Sequence, residues 1–198
     1  FSYTYNNLYT LNANVRLDAS NRFGSRANEK LAPIWSVSAR WNIKDDLLPY
    51  TKWISSIALR GSFGYQGNML DTESAKLVLT RGGLDPNFEE YESYVSSYPN
   101  PNLKWEQSAT ANFGVDFSFF NGRLNGTVEY YNTHTKDLLV KRSLNASLGY
   151  TTMLDNLGKT KSSGIDLSLN GDVVRTKEFT WTLGTNFSMY KNEIVRID

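Results

Sequence analysis

Apolar and polar residues alternate along most of this chain, as they do along β-strands whose two faces meet different surroundings. The clearest run covers residues 108–119, where Ala, Phe and Val at odd positions alternate with Ser, Thr, Asn, Gly and Asp at even positions. The same period of two recurs at residues 9–17, 35–43, 57–65, 123–131, 164–170 and 180–189. With a partial strand at residues 1–5, the pattern predicts an all-β, antiparallel fold of about eight strands.

The predicted connections are short at one end of the strands and long at the other. Asn6-Asn7 and Asn121-Gly122 have the residue types of tight hairpin turns. This asymmetry is typical of outer-membrane barrels, whose long loops lie outside the cell. The remaining connections are predicted as medium links at residues 44–53 and 171–179, a short helical turn within residues 46–55, and long loops at residues 18–32, 66–104 and 138–161.

Three features favour transmembrane barrel strands over a soluble β-sandwich, in which polar and apolar residues alternate in the same way. The strands reach the ~9–11 residues that cross a bilayer. Their polar faces carry Ser, Thr, Asn and Gly with few Lys or Glu. Aromatic residues recur near strand ends, as in the interfacial girdles of membrane barrels. The girdle candidates are Tyr9, Trp35, Trp41, Tyr65, Phe119, Tyr130, Trp181 and Tyr190.

Composition narrows the functional classes. With 21 basic and 20 acidic residues the net charge is +1, which argues against a nucleic-acid surface. The absence of cysteine and the single histidine, His134, exclude disulfides, Cys-His catalysis and His-rich metal sites, so no cofactor is expected. We interpret His134 as a polar residue near a loop, and the acidic run Glu89, Glu90 and Glu92 as a solvated loop rather than a glycosidase pair. The sequence therefore predicts a protein that is not an enzyme.

Five segments resemble motifs of one family. They are residues 15–24 (VRLDASNRFG, against RxDGSSRFG, with Ala19 where the family has Gly), 59–68 (LRGSFGYQGN, against LRxSYGxTGN), 101–106 (PNLKWE, against NPxLKWE), 123–139 (RLNGTVEYYNTHTKDLL, against RLxGSxDYYxxxTxDLL), and 156–158 with 163–166 (NLG and SGID, against NxGxxxNxGxE). In this order they resemble the SusC/RagA-like TonB-dependent transporters of Bacteroidetes outer membranes.

The resemblance implies a barrel of about twenty-two strands, closed by an N-terminal plug and surrounded by outer-membrane lipid. It also implies a SusD-like lipoprotein partner and TonB-driven uptake of oligosaccharides or peptides. The chain carries no plug, no TonB box and no terminal aromatic residue. We therefore expect all 198 residues to be an internal segment of such a barrel.

Charged residues on the polar faces are the first candidates for a site. Arg16, Arg40 and Arg60 are predicted to face the lumen, where they could bond to the plug or steer an anionic solute. Alternatively they could pair with acids on the same faces. We favour this pairing, because a filled lumen needs its charges balanced. The candidate acids are Asp116, Glu129 and Asp166.

Tyrosines in the longest predicted loop are the second candidates. Tyr91, Tyr94 and Tyr98 could stack on sugar rings, or they could contact neighbouring loops or the lipoprotein partner. Two other functions also fit an alternating all-β chain. One is a complete small eight-strand outer-membrane barrel with a structural or adhesive role, and the other is a soluble all-β carbohydrate-binding module.

Overall fold

The computed structural model describes residues 1–19, 31–68, 76–148 and 150–197. These ranges consist mainly of β-strands, with a helix α1 (Ile43–Leu47) and a single 3-10 turn at Ala146–Leu148. None of the described helices is long and apolar enough to cross a membrane. The strands are β1 (Ser2–Tyr5), β2 (Tyr9–Ala19), β3 (Leu31–Asn42), β4 (Ile54–Asn68), β5 (Val78–Leu84), β6 (Tyr91–Ser97), β7 (Glu106–Phe119), β8 (Leu124–Ser143), β9 (Thr152–Arg175) and β10 (Thr180–Arg196).

Eight strands form one antiparallel sheet in the order β1-β2-β3-β4-β7-β8-β9-β10. Each of these strands pairs with the next sheet strand along the chain, which is the arrangement of a β-meander. Among the described strands, only β5 and β6 leave this order, and they form a separate hairpin inserted between β4 and β7. The predicted all-β class and the eight sheet strands are both confirmed.

The tight turns have the backbone geometry that joins antiparallel strands. Asn6 and Asn7 have φ angles of 49° and 55°, as the two central residues of a type I′ turn require. The second turn begins one residue earlier than predicted, since φ is already 54° at Phe120 and stays positive at Asn121 and Gly122. Two contacts hold Phe120 in this position, which is unusual for a bulky residue: its ring lies 6.3 Å from that of Trp53, and its N–H bonds to the Trp53 carbonyl at 2.8 Å.

Several predicted loops contain more strand than the alternation indicated. β8 continues to Ser143 and β9 begins at Thr152, both inside the predicted loop at residues 138–161, while the β5–β6 hairpin occupies part of the predicted loop at residues 66–104. The predicted bounds of these two loops are therefore wrong, because strands occupy part of each. In the β8–β9 pair the register shifts between Thr135 and Leu138 and again at Leu139, and an extra residue in a strand breaks the period of two.

One face of the sheet is apolar, and within the described part of the chain no second layer covers it. Its side chains remain exposed, for example Val15 at 78% and Met189 at 67%. In the described residues the buried hydrophobic set comprises Ile54, Ala58, Leu103 and Trp105, so the sheet has no sandwich core. A central row of this face consists of Leu11, Ala39, Gly61, Phe113, Tyr130, Ile165 and Met189 on seven adjacent strands.

The apolar side chains of this face form a band that crosses the strands obliquely; we call it the apolar band. Towards the long connections, the band ends at Ala19 on β2. On β10 it ends at Met189, which is in the same hydrogen-bonded row as Leu11. Val15, inside the band on β2, therefore shares a row with Lys161 on β9, which lies beyond the band. This boundary falls by about eight residues over seven strands, or about 26 Å over about 29 Å, a slope of about 42°. Strands of barrels tilt by about 35–45° from the barrel axis, so this slope fits a barrel wall.

Candidate functional site

The face opposite the apolar band carries small polar side chains that bond to one another across the strands. The hydroxyl oxygens of Ser108 and Thr135 lie 2.8 Å apart, and those of Thr110 and Thr133 lie 3.0 Å apart. Such cross-strand pairs stabilise a sheet and satisfy its polar groups without a ligand. The polar face is therefore an ordered surface on which charged side chains are held in defined places.

Four of the predicted lumen-facing residues meet on this face; we call them the arginine–carboxylate cluster. Arg40 contacts Asp116 at 2.8 Å, and Arg60 contacts Asp116 at 3.3 Å and Glu129 at 3.2 Å. Two cations and two anions leave the cluster neutral. Because the side chains are 28% to 46% exposed, each pair contributes only about 0–1 kcal/mol to stability. The main effect of the cluster is to fix the positions of its own charges.

Gly114 makes this cluster sterically feasible. It lies on β7, between Arg60 on β4 and Glu129 on β8, in one hydrogen-bonded row. A Cβ atom at Gly114 would lie 2.8 Å from Arg60 Nε and 3.0 Å from Arg60 Cγ. The arginine side chain therefore crosses over a bare stretch of backbone to reach a carboxylate two strands away.

The other two predicted charges lie outside the cluster. Arg16 pairs with Asp18 on its own strand at 2.7 Å, and its side chain is 69% exposed. Asp166 is the cross-strand partner of Glu129, so two acids stand side by side. Among the described residues Asp166 has no ion-pair partner. It therefore adds a negative charge to the edge of a neutral cluster.

The three candidate tyrosines have three different neighbours. Tyr91 lies under the guanidinium of Arg81, with 3.3 Å from Cζ to the ring centroid. Tyr94 covers Gly82, where a Cβ atom would lie 2.3 Å from the tyrosine ring. Tyr98 stacks on Tyr150 with ring centroids 4.0 Å apart. Tyr91 and Tyr94 remain 57% and 55% exposed, so these two keep free ring surface.

Residues 100–106, which we call the brace segment, connect the β5–β6 hairpin to the main sheet. The amide of Asn156 on β9 bonds to the brace segment twice, accepting from Lys104 N–H and donating to the Lys104 carbonyl, both at 2.9 Å. The same amide donates to the Asp137 carbonyl on β8 at 2.7 Å. Asn100 donates to the Leu154 carbonyl at 2.7 Å. The brace segment is thereby bonded to both strands of the β8–β9 hairpin.

The lower end of the brace segment is fixed by a buried carboxylate. Glu106 is 8% exposed and accepts bonds from Leu139 N–H at 2.9 Å and from Asn68 Nδ2 at 3.1 Å. Lys104 pairs with Asp137 at 3.1 Å, at the point where Asp137 has a φ of 58° within the irregular part of β8. Sequence reasoning found this segment only as a motif. The role of Asn156, more than fifty residues further along the chain, depends on a strand register that the alternation did not reveal.

The histidine and the first residue of the acidic run both lie at exposed positions. His134 is exposed on the apolar face of the sheet, beyond the end of the apolar band on the side of the long connections. Glu89 has a φ of 55° in the turn of the β5–β6 hairpin, where its N–H bonds to the Asp85 carbonyl at 2.9 Å. Within the described ranges, no three His, Cys, Asp or Glu side chains are grouped so that they could hold a metal ion.

Comparison with known proteins gives a consistent result. A family model described as TonB-dependent receptor-like β-barrel matches residues 1–196. TonB-dependent receptor P39 of Formosa agariphila is 31% identical over 200 residues, and TonB-dependent receptor SusC of Bacteroides thetaiotaomicron is 30% identical over 206 residues. The solved structure of the RagAB peptide importer in its closed-closed state superposes with a TM-score of 0.87 at 27% identity and covers 99% of the chain.

This chain matches only a small part of each of these proteins. The alignments contain 98% and 99% of this chain but only 19% and 20% of the two receptors, and 21% of the RagAB chain. The chain thus spans about one fifth of the length of its relatives. By name these relatives are receptors and importers rather than enzymes, in agreement with the sequence-based expectation.

Proposed function

Because the chain belongs to the TonB-dependent receptor-like β-barrel family, we propose that it forms part of the outer-membrane barrel of an active transporter. The cargo would be oligosaccharide or peptide nutrients, and the energy would come from TonB acting on a plug. The observation that carries this proposal is the oblique, uncovered apolar band opposite an ordered polar face. A sheet of this kind is stable where lipid covers one face and a lumen adjoins the other.

The described residues take three roles in this proposal. The apolar band contacts outer-membrane lipid. The polar face lines the lumen, where Arg40, Arg60, Asp116 and Glu129 present fixed charges to a plug or a solute and Asp166 adds a negative charge beside them. The β5–β6 hairpin, held by the brace segment, projects on the side of the long connections. There it contacts a SusD-like lipoprotein or the cargo, with Tyr91 and Tyr94 as its exposed aromatic surface.

The first test is the intact mass of the natural protein in a detergent-extracted outer-membrane fraction. We expect a mass several times the 22.5 kDa of this chain, since the chain is about one fifth of its relatives. A protein near 22.5 kDa in that fraction would instead be a small self-contained barrel and would refute the transporter. A protein that stays in solution without detergent would refute the barrel.

The second test decides the cargo. A strain that lacks the gene would be grown on single defined oligosaccharides or on defined peptides as the limiting nutrient, beside the complemented strain. We expect a growth defect on one of the two classes only. If the rings of Tyr91 and Tyr94 touch the cargo, replacing both with Ala should cause part of the same growth defect. The Tyr98→Ala variant is the control, because it removes only the ring stack with Tyr150.

A further inference from the structure

A polar cavity opens between the β5–β6 hairpin and the upper end of the β8–β9 hairpin, on the side of the long connections. Its volume is about 430 Å³, which lies within the usual range of sites for small ligands. One wall consists of residues 95–98 at the end of β6, and the other consists of residues 150–154 at the start of β9. Lys141 on β8 also borders the cavity, which we call the slot.

The positive charge of Lys141 is not neutralised by the acids of the β8–β9 hairpin. Asp137, one turn of sequence before it, pairs with Lys104 at 3.1 Å, and Asp155 on β9 pairs with Arg142 at 3.5 Å. In the part of the chain that the structure describes, Lys141 has no ion-pair partner. The slot is therefore bordered by an ammonium group that can bond to an anionic ligand.

The other polar side chains around the slot carry hydroxyl groups, namely Ser96, Ser97, Thr151 and Thr152. Thr151 and Thr152 are exposed, and within the described ranges their hydroxyl groups form no hydrogen bond. The Ser96 hydroxyl donates to the Val78 carbonyl at 3.0 Å and keeps its acceptor lone pairs. Because a hydroxyl group both donates and accepts, this lining matches the hydroxyl groups of a sugar.

The main chain of the β9 wall is already bonded at two carbonyl groups that line the slot. The carbonyl of Thr151 accepts from Leu144 N–H at 2.8 Å, and the carbonyl of Leu154 accepts from Asn100 Nδ2 at 2.7 Å. A peptide that adds to a strand is held by hydrogen bonds to free main-chain groups. A ligand of the slot is recognised mainly by side chains instead, which favours a sugar over an extended peptide.

Two contacts tie the walls of the slot together. Tyr98, which follows β6, stacks on Tyr150, which precedes β9, with ring centroids 4.0 Å apart. The bond from Asn100 to the Leu154 carbonyl is the second tie. The width of the slot is therefore set before a ligand arrives, which lowers the entropic cost of binding. We assign the two rings this bridging role, so that recognition of the ligand lies with Lys141 and the hydroxyl groups.

We propose that the slot binds a carboxylate-bearing sugar of the uronic acid class within an oligosaccharide cargo. This inference rests on the proposed function, and it selects acidic oligosaccharides from the cargo classes named there. Lys141 bonds to the sugar carboxylate, while Thr151 and Thr152 bond to hydroxyl groups of the sugar ring. A charge-assisted bond between ammonium and carboxylate is roughly twice as strong as a bond between neutral groups. The carboxylate is therefore the group by which the slot distinguishes its ligand from a neutral sugar.

The test titrates the full-length natural protein in detergent with defined trisaccharides and measures the heat of binding. The acidic probes are the trisaccharides of galacturonic, glucuronic, mannuronic and guluronic acid. Each is compared with its carboxyl-reduced form, in which a hydroxymethyl group replaces the carboxylate. Triglutamate is the probe for an acidic peptide.

The test variant is Lys141→Gln, and Lys141→Arg keeps the positive charge. The matched control is Lys177→Gln in the turn between β9 and β10, since Lys177 is also exposed and has no ion-pair partner among the described residues. A further variant, Thr152→Val, removes one hydroxyl group and keeps the shape of the side chain. Retained heat-modifiability on gels shows that each variant barrel is folded.

We expect at least one acidic trisaccharide to bind the natural protein about tenfold more tightly than its reduced form at low ionic strength, the usual effect of one hydrogen bond to a charged group. Lys141→Gln should remove this preference, whereas Lys141→Arg and Lys177→Gln should retain it. Thr152→Val should weaken the binding of acidic and reduced forms alike, by about two- to tenfold, because it removes a bond between neutral groups.

Equal binding of every acidic trisaccharide and its reduced form to the natural protein would refute the proposal, as would an unchanged preference in Lys141→Gln. Tighter binding of triglutamate that depends on Lys141 would place a peptide carboxylate in the slot and overturn the assignment to a sugar. Failure of the slot leaves the transporter intact, because the protein would still support growth on neutral oligosaccharides or on peptides. Failure of the proposed function would appear earlier, as absence of the natural protein from the outer-membrane fraction.

Discussion

Replacing Asn156 with Ala tests whether one amide fixes the brace segment to the strands beside it. The change leaves Lys104 N–H and the carbonyls of Lys104 and Asp137 without their bonds at 2.9, 2.9 and 2.7 Å. A buried unpaired polar group costs about 1–3 kcal/mol. All three groups belong to half-buried residues, so water will satisfy part of what is lost. We therefore expect the brace segment to lose about 2–3 kcal/mol of local stability in total.

Hydrogen exchange of the Lys104 amide measures this loss directly, because that amide donates to the deleted side chain. In the full-length protein in detergent, exchange at Lys104 should become about 30- to 150-fold faster. The control is Asn170→Ala on the same strand, since in the described part of the chain the Asn170 side chain forms no hydrogen bond. Unchanged protection at Lys104 in the Asn156 variant, or equal acceleration in the control, would show that the brace segment is held by something else.

Two smaller changes test local geometry. Gly114→Ala should displace the Arg60 side chain and lower the melting temperature in detergent by an amount equivalent to about 1–2 kcal/mol, whereas Gly171→Ala, whose Cβ would lie 3.6 Å from Leu124 Cδ1, should be neutral. Asn7→Val should lower the refolding yield, because a β-branched residue disfavours the φ of 55° at this position by about 1–2 kcal/mol. Asn7→Gly should leave the yield unchanged. Equal yields from both variants would contradict the turn assignment.

The alternation predicted strands correctly wherever one face of a strand is apolar and no residue is inserted. It failed in the upper parts of β8 and β9, where register shifts near Leu138 interrupt the period, and in β5 and β6, which face no apolar layer. Hydrogen bonds between backbones form such strands without any constraint on the side chains. A pattern that reports only side-chain polarity cannot detect them.

The alternation also could not predict which charged residues pair with each other. Alternation predicts that Arg60, Glu129 and Asp166 share one face, but it does not say which acid the arginine reaches. The observed register places Glu129 two strands from Arg60 and Asp166 three strands away, and the bare backbone of Gly114 lies on the path to Glu129. The pairing therefore depends on strand order and on a glycine, neither of which is visible in the polarity of the acids themselves.

Because the apolar band crosses the hydrogen-bonded rows obliquely, two residues of one row can lie at different depths in the membrane. Ala13 and Lys191 lie in one hydrogen-bonded row, yet Ala13 is in the middle of the band on β2 whereas Lys191 lies above it on β10. If the apolar band lies parallel to the membrane plane, the strands are tilted, and a lysine is tolerated at position 191 on β10 but not at position 13 on β2.

We therefore expect Ala13→Lys to lower barrel stability by about 2–4 kcal/mol, the cost of a cationic side chain near the bilayer midplane. The measurement is the fraction of heat-modifiable, folded protein in the outer membrane, with Ala13→Leu as the matched control for size. Lys191→Leu should have little effect, because its position lies at the headgroup level, where the cost of a charge falls to about 0–1 kcal/mol. Normal assembly of Ala13→Lys would mean that the hydrogen-bonded rows do not cross the membrane obliquely, and the assignment of the apolar band to lipid would fail with it.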